Sequence, residues 1–188
     1  MLTVNKLLPA ARGLAPALIQ RAATVSLDWD TRSKSRFDAH DSAGRHLAVF
    51  LPRGTVLRGG DVLVAEDGSM IRVDAAPQPV LQVRPCPAHG TATDLPRAAY
   101  HLGNRHVQLE VQADCLQFEP DPVLAEMLQR LHLIVTEAQA PFEPEAGAYG
   151  EGGGHGHQGH GHDHRHGHEP APAHDDQHGQ GHDGSHGH

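Results

Sequence analysis

The chain has 188 residues, 38% of them hydrophobic, and a formal charge of -8 with histidine counted neutral, which suits one domain or two small ones. That balance excludes a nucleic-acid binder, which needs a concentrated basic face. No apolar run nears the roughly 20 residues of a membrane span, and Pro9, Arg12 and Gly13 interrupt the N-terminus before a signal-peptide core develops, so a soluble cytoplasmic protein is expected.

Residues 1–77 read as strands and turns. Arg32, Lys34 and Arg36 alternate with Ser33 and Ser35, a strand pattern that puts three charges on one solvated sheet face. Leu47 to Leu51 is a short apolar run closed by Pro52-Arg53-Gly54. A second run, Val62 to Ala65, is joined to Met70-Ile71-Arg72-Val73 by Glu66-Asp67-Gly68-Ser69, a hairpin signal because glycine supplies the positive φ of such turns. The expectation is a small β-rich domain ending at Pro77 and Pro79.

From residue 78 to 149 the period changes. Val80 to Arg84 reads as a strand. Asp94 opens a helix with Leu95, Ala98, Ala99 and Leu102 on one face and Gly103 placed to end it. Val107, Leu109 and Val111 then alternate with polar residues as a half-buried strand does, and Cys115 to Phe118 is expected to pair with it. Asp121 as N-cap and Pro122 at the first position start a second helix carrying Val123, Leu124, Met127, Leu128 and Leu131 on one face. Leu133 to Val135 supplies a last strand. The order β-α-β-β-α-β is the ferredoxin-like plan, so the fold class expected is α+β. Cys86 and Cys115 stand far apart with no Cys-x-x-Cys, which argues against a disulfide framework.

Residues 150–188 differ again. Their only hydrophobic side chains are Ala171 and Ala173, too little to offset chain entropy, so a disordered tail is expected. Twelve of the 18 histidines lie there, among them His155, His157, His160, His162, His164, His166 and His168. Neutral imidazole suits nickel, zinc and copper, and the intervening glycines let a chain gather several rings around one ion. The cost of ordering such a chain keeps each site weak and exchangeable, which suits a carrier. Composition does not separate nickel from zinc, and copper binds nitrogen donors more tightly than either.

In the folded part, His106 precedes the expected strand with the parity of Gln108 and Glu110, so it should point away from the core. One surface histidine means little by itself. Near a two-fold axis it would meet its twin and make a two-imidazole site open to further ligands. His101, in the last turn of its helix, reads as complementing the helix dipole. His40, His46, His89 and His132 show no spacing that suggests a site. No H-E-x-x-H, G-x-S-x-G or Walker loop appears, so no enzyme is expected.

Two motifs then carry a resemblance. Tyr100-His101-Leu102-Gly103-Asn104-Arg105-His106, and Pro141-Phe142-Glu143-Pro144-Glu145-Ala146-Gly147-Ala148-Tyr149 ahead of a histidine-rich tail, closely resemble the UreE urease accessory family. Leu51 to Gly54 and Leu57-Arg58-Gly59-Gly60-Asp61 look like that family's N-terminal domain. The resemblance implies a homodimer with a partner- or peptide-binding N-terminal domain. It also implies Ni(II) delivery to urease apoprotein alongside the GTPase UreG, with Zn(II) or Cu(II) as competitors. His106 matches the family's metal ligand at the dimer interface and the tail histidines its helpers. Some members carry a further histidine pair where this chain has Phe118 to Pro122, so an accessory site there is absent or altered. A store for zinc, copper or nickel with no client remains the alternative.

Overall fold

A computed structural model describes residues 1–147 of the chain, and the fold is α+β. The N-terminal part is a six-stranded mixed sheet in the spatial order β2-β6-β5-β1-β4-β3. Its strands are β1 (Leu2–Leu8), β2 (Ala23–Leu27), β3 (Arg36–His40), β4 (His46–Phe50), β5 (Val62–Ala65) and β6 (Met70–Ala75). Alternate residues along most of these strands face inward. Val4, Val25, Leu27, Leu47, Val49, Leu63, Ile71 and Val73 form one buried cluster, joined by Phe37 and Ala39. Because the outermost strands β2 and β3 both feed that cluster, the sheet curls on itself. Ser42 ties the two edges, its N–H donating to Thr24 O at 2.7 Å and its hydroxyl accepting from Thr24 N at 2.9 Å. The expected hairpin joins β5 to β6, with Gly68 at φ 83°.

Two short helices also belong to this part, α1 (Pro16–Arg21) and α2 (Trp29–Arg32). The second overturns the reading of Arg32, Lys34 and Arg36 as one wet strand face. Asp28 caps α2 by accepting from Thr31 N, so the backbone turns where an alternating strand was expected, and Arg32 is fully buried. Helix periodicity over one turn cannot be told from strand alternation in so short a stretch.

The C-terminal part is a four-stranded antiparallel sheet in the order β10-β7-β9-β8. Its elements in chain order are β7 (Pro77–Arg84), α3 (Asp94–Gly103), β8 (Glu110–Val111), β9 (Leu116–Phe118), α4 (Pro122–Arg130) and β10 (Ile134–Pro141). Both helices lie on one face, because Ala98 and Leu102 of α3 and Leu128 of α4 share a buried cluster with Leu81, Val83, Leu116 and Phe118. Asp121 caps α4 as expected, accepting from Val123 N and Leu124 N.

Four expectations are corrected here. The strand expected from Val80 begins at Pro77, so Pro77 and Pro79 lie within β7, at an end where β10 runs alongside but β9 does not reach; a strand with a free side tolerates residues that lack an N–H. The last strand is Ile134–Pro141, extending well beyond Leu133 to Val135. Val107 to Val111 pairs only over Glu110–Val111, and Val111 is half exposed, because Leu109 O instead accepts from Glu145 N of the chain following β10. Val123 is exposed, since α4 buries Leu128 and turns its first apolar residue outward.

The other face of this sheet meets the N-terminal part. Val80, Ala138 and Ala140 pack with Trp29 and Phe142, the last two rings edge to face at 6.1 Å. Arg32 completes the junction, donating to Leu27 O, Leu57 O, Phe142 O and Glu143 Oε1. Glu143 also accepts from Gly59 N at 2.9 Å and from Arg58. A Cβ at Gly59 would stand 3.1 Å from Glu143 Oε1, so a side chain there would press on the carboxylate. Thus the two segments Leu57 to Asp61 and Pro141 to Pro144 meet across the junction.

Candidate metal centre

Helix α3 is closed by the residue of interest. His106 N donates to Gly103 O at 2.9 Å, and Val107 N reaches back to Leu102 O at 3.2 Å, with His106 at φ 57°. This is the paired bonding of a Schellman motif, whose left-handed position is usually glycine. The helix does end at Gly103, yet the left-handed conformation falls on His106. For a residue with a Cβ that conformation costs about 1–2 kcal/mol. Val107 and Leu102 lie in the same apolar cluster, the contact that normally accompanies the motif.

Strand alternation therefore does not orient His106; the helix cap does. The outcome for exposure is the same, and the ring stands in solvent. It borders a cavity of about 320 Å³ with Val107, Leu109, Val111, Glu145 and Gly147. The half-exposed Val111 and the exposed Tyr100 leave apolar surface on this part of the molecule. Helix α4 ends in the same way, with His132 at φ 62°, His132 N bonded to Gln129 O and Leu133 N to Leu128 O.

His101 lies in the last turn of α3 as expected, its ring edge-on to Tyr100 at 5.5 Å and its carbonyl accepting from Arg105. Among the described residues no group of three or more His, Cys, Asp or Glu side chains is arranged to hold a metal ion. His106 offers one imidazole per chain. His155, His157, His160, His162, His164, His166 and His168 lie outside the described residues.

The fold makes two pairings that spacing did not suggest. His40 and His46 face each other across the β3–β4 hairpin with ring centroids 5.2 Å apart. The turn residues between them, Asp41 to Arg45, were the available signal. Cys86 Sγ lies 3.7 Å from His89 Nδ1, and that contact holds the thiol below its ordinary pKa. Burial pushes the Cys115 thiol up. Both cysteines are free.

The described residues thus form an α+β chain in which a helix cap holds one exposed imidazole beside an open cavity. The comparisons name the family. The model for the UreE urease accessory protein, N-terminal domain, matches residues 4–76, and that for the UreE C-terminal domain matches residues 78–168. A urease accessory protein UreE of Methylibium petroleiphilum is 74% identical over 151 residues, 80% of this chain and 70% of its own length. Those of Paracidovorax citrulli and Albidiferax ferrireducens are 71% and 67% identical over 149 residues, each over 79% of this chain and over 71% and 86% of their own lengths. The chain belongs to the UreE urease accessory protein family. Its role is accessory to urease maturation, and it is not an enzyme. Among the described residues no helix is long and apolar enough to cross a membrane.

Proposed function

We propose that the chain is a cytoplasmic nickel metallochaperone. The tail histidines His155 to His168 gather Ni(II), and His106 holds it together with its twin in a homodimer. The urease apoprotein, working with the GTPase UreG, then withdraws the ion. In this reading residues 1–77 form the partner- or peptide-binding domain, residues 78–149 the ferredoxin-like metal-binding and dimerisation domain, and residues 150–188 the capture tail.

The observation that carries the reading is His106 itself. Its helix-cap conformation, shared by His132, fixes the direction of an exposed imidazole, and of the two it is His106 that stands in the Tyr100 to His106 motif. One imidazole cannot complete a metal site, so a second copy or the tail must contribute. The apolar residues Val107, Leu109 and Val111 beside it suit burial against a second copy. Two imidazoles with open positions release an ion to a better-formed site, and protonation of the rings favours release as the medium turns acidic.

Nickel calorimetry on the full chain and on His106→Ala tests this. The tightest site should count one ion per two chains and should vanish in His106→Ala, while weaker tail uptake persists. Uptake identical in both chains would overturn the proposal and leave a tail that stores zinc, copper or nickel.

A further inference from the structure

We propose that His40 and His46 form a second metal site, a two-imidazole chelate for a tetrahedral divalent cation such as zinc, oriented by Asp38. It lies in the N-terminal sheet and does not depend on the reading of His106.

The hairpin that carries the pair is held rigidly. Asp41 is buried at its turn, and its carboxylate accepts from Ala43 N, Arg45 N and Arg45 Nε at 2.7–3.0 Å. Asp41 N donates to Arg45 O, so the next pair outward, His40 opposite His46, takes a position without backbone bonds between its members. Side chains stand closest at such positions. The fixed turn thus removes most of the entropy that two free histidines would lose on sharing an ion.

The ring geometry suits a particular coordination. With metal–nitrogen bonds of about 2.0–2.1 Å, two imidazoles at a tetrahedral angle have centroids about 5 Å apart, and at a right angle roughly 4.5 Å. The observed separation is 5.2 Å, with the rings tilted at 45°. Zinc accepts the tetrahedral angle without electronic cost, whereas octahedral or square-planar ions prefer the smaller one.

The third residue selects the ligand atom. His46 Nε2 lies 3.0 Å from Asp38 Oδ1. A carboxylate there keeps the proton on Nε2 and leaves the Nδ1 lone pair free, the arrangement in which metal-binding histidines hand their second N–H to an acid. Asp38 and His40 are both exposed and His46 is half exposed, so water can fill the remaining positions.

The test is a Zn(II) titration of the full-length protein, following the imidazole nitrogen resonances by NMR. His40 and His46 are assigned from His40→Ala and His46→Ala. The expected result is that both rings shift together in one transition, His46 through Nδ1. His40→Ala should weaken the His46 response at least tenfold, and Asp38→Asn several-fold with the fold intact by circular dichroism. Either ring staying still while the remaining histidines saturate would overturn the site, as would a His46 response unchanged in His40→Ala.

Discussion

Replacing Arg32 by alanine should destabilise the folded chain by about 3 kcal/mol. The side chain is completely buried and its guanidinium serves four oxygens, those of Leu27, Leu57, Phe142 and Glu143. Burial pulls its pKa down and the Glu143 carboxylate opposes that shift, which is the signature of a desolvated charge held by its partner. Breaking a buried pair by removing one member costs about 3–5 kcal/mol. The lower end applies because Glu143 is 30% exposed and keeps Arg58 and Gly59 N. For a chain of this size the melting temperature should fall by about 6–12 °C. Trp29, the single tryptophan, has Arg32 5.3 Å and Arg58 5.0 Å from its ring centre and Phe142 at its edge. Its fluorescence in a urea titration therefore reports this junction directly. An unfolding free energy within about 0.5 kcal/mol of the native chain's would refute the argument that the guanidinium, rather than the apolar contacts of Trp29, holds the two sheets together.

Two further outcomes are expected. His106→Gly relieves a left-handed histidine at a cost in chain entropy, so the apo protein should gain about 0.5–1 kcal/mol while the tightest nickel site is lost; a lower melting temperature would show that the ring contributes packing. Cys86, whose thiol is held below its ordinary pKa mainly by His89, carries more thiolate at neutral pH than an ordinary cysteine. It should therefore react with iodoacetamide well before the buried Cys115, and His89→Ala should slow it, as peptide mapping by mass spectrometry will show.

Much of the architecture is legible in the sequence. Helices α3 and α4 announced themselves through Leu95, Ala98 and Leu102 and through the Asp121-Pro122 start, because a helix start and an apolar stripe are local chemistry. The β5–β6 hairpin followed from Gly68 for the same reason. His106 stands out in the sequence through the motif around it, but a helix cap, not the strand alternation the sequence suggests, orients it.

Sequence by itself determined the helices α3 and α4, the β5–β6 hairpin, the histidine supply and the family, since these are written in composition, period and short motifs. Tertiary structure alone decided that Arg32 is buried, that Glu143 binds it across more than a hundred residues, and that His40 meets His46 over Asp38. Those facts depend on which distant backbone segments approach each other. A charge that alternates with serines looks solvated until a helix cap at Asp28 turns it inward and a carboxylate from the far end of the chain meets it there.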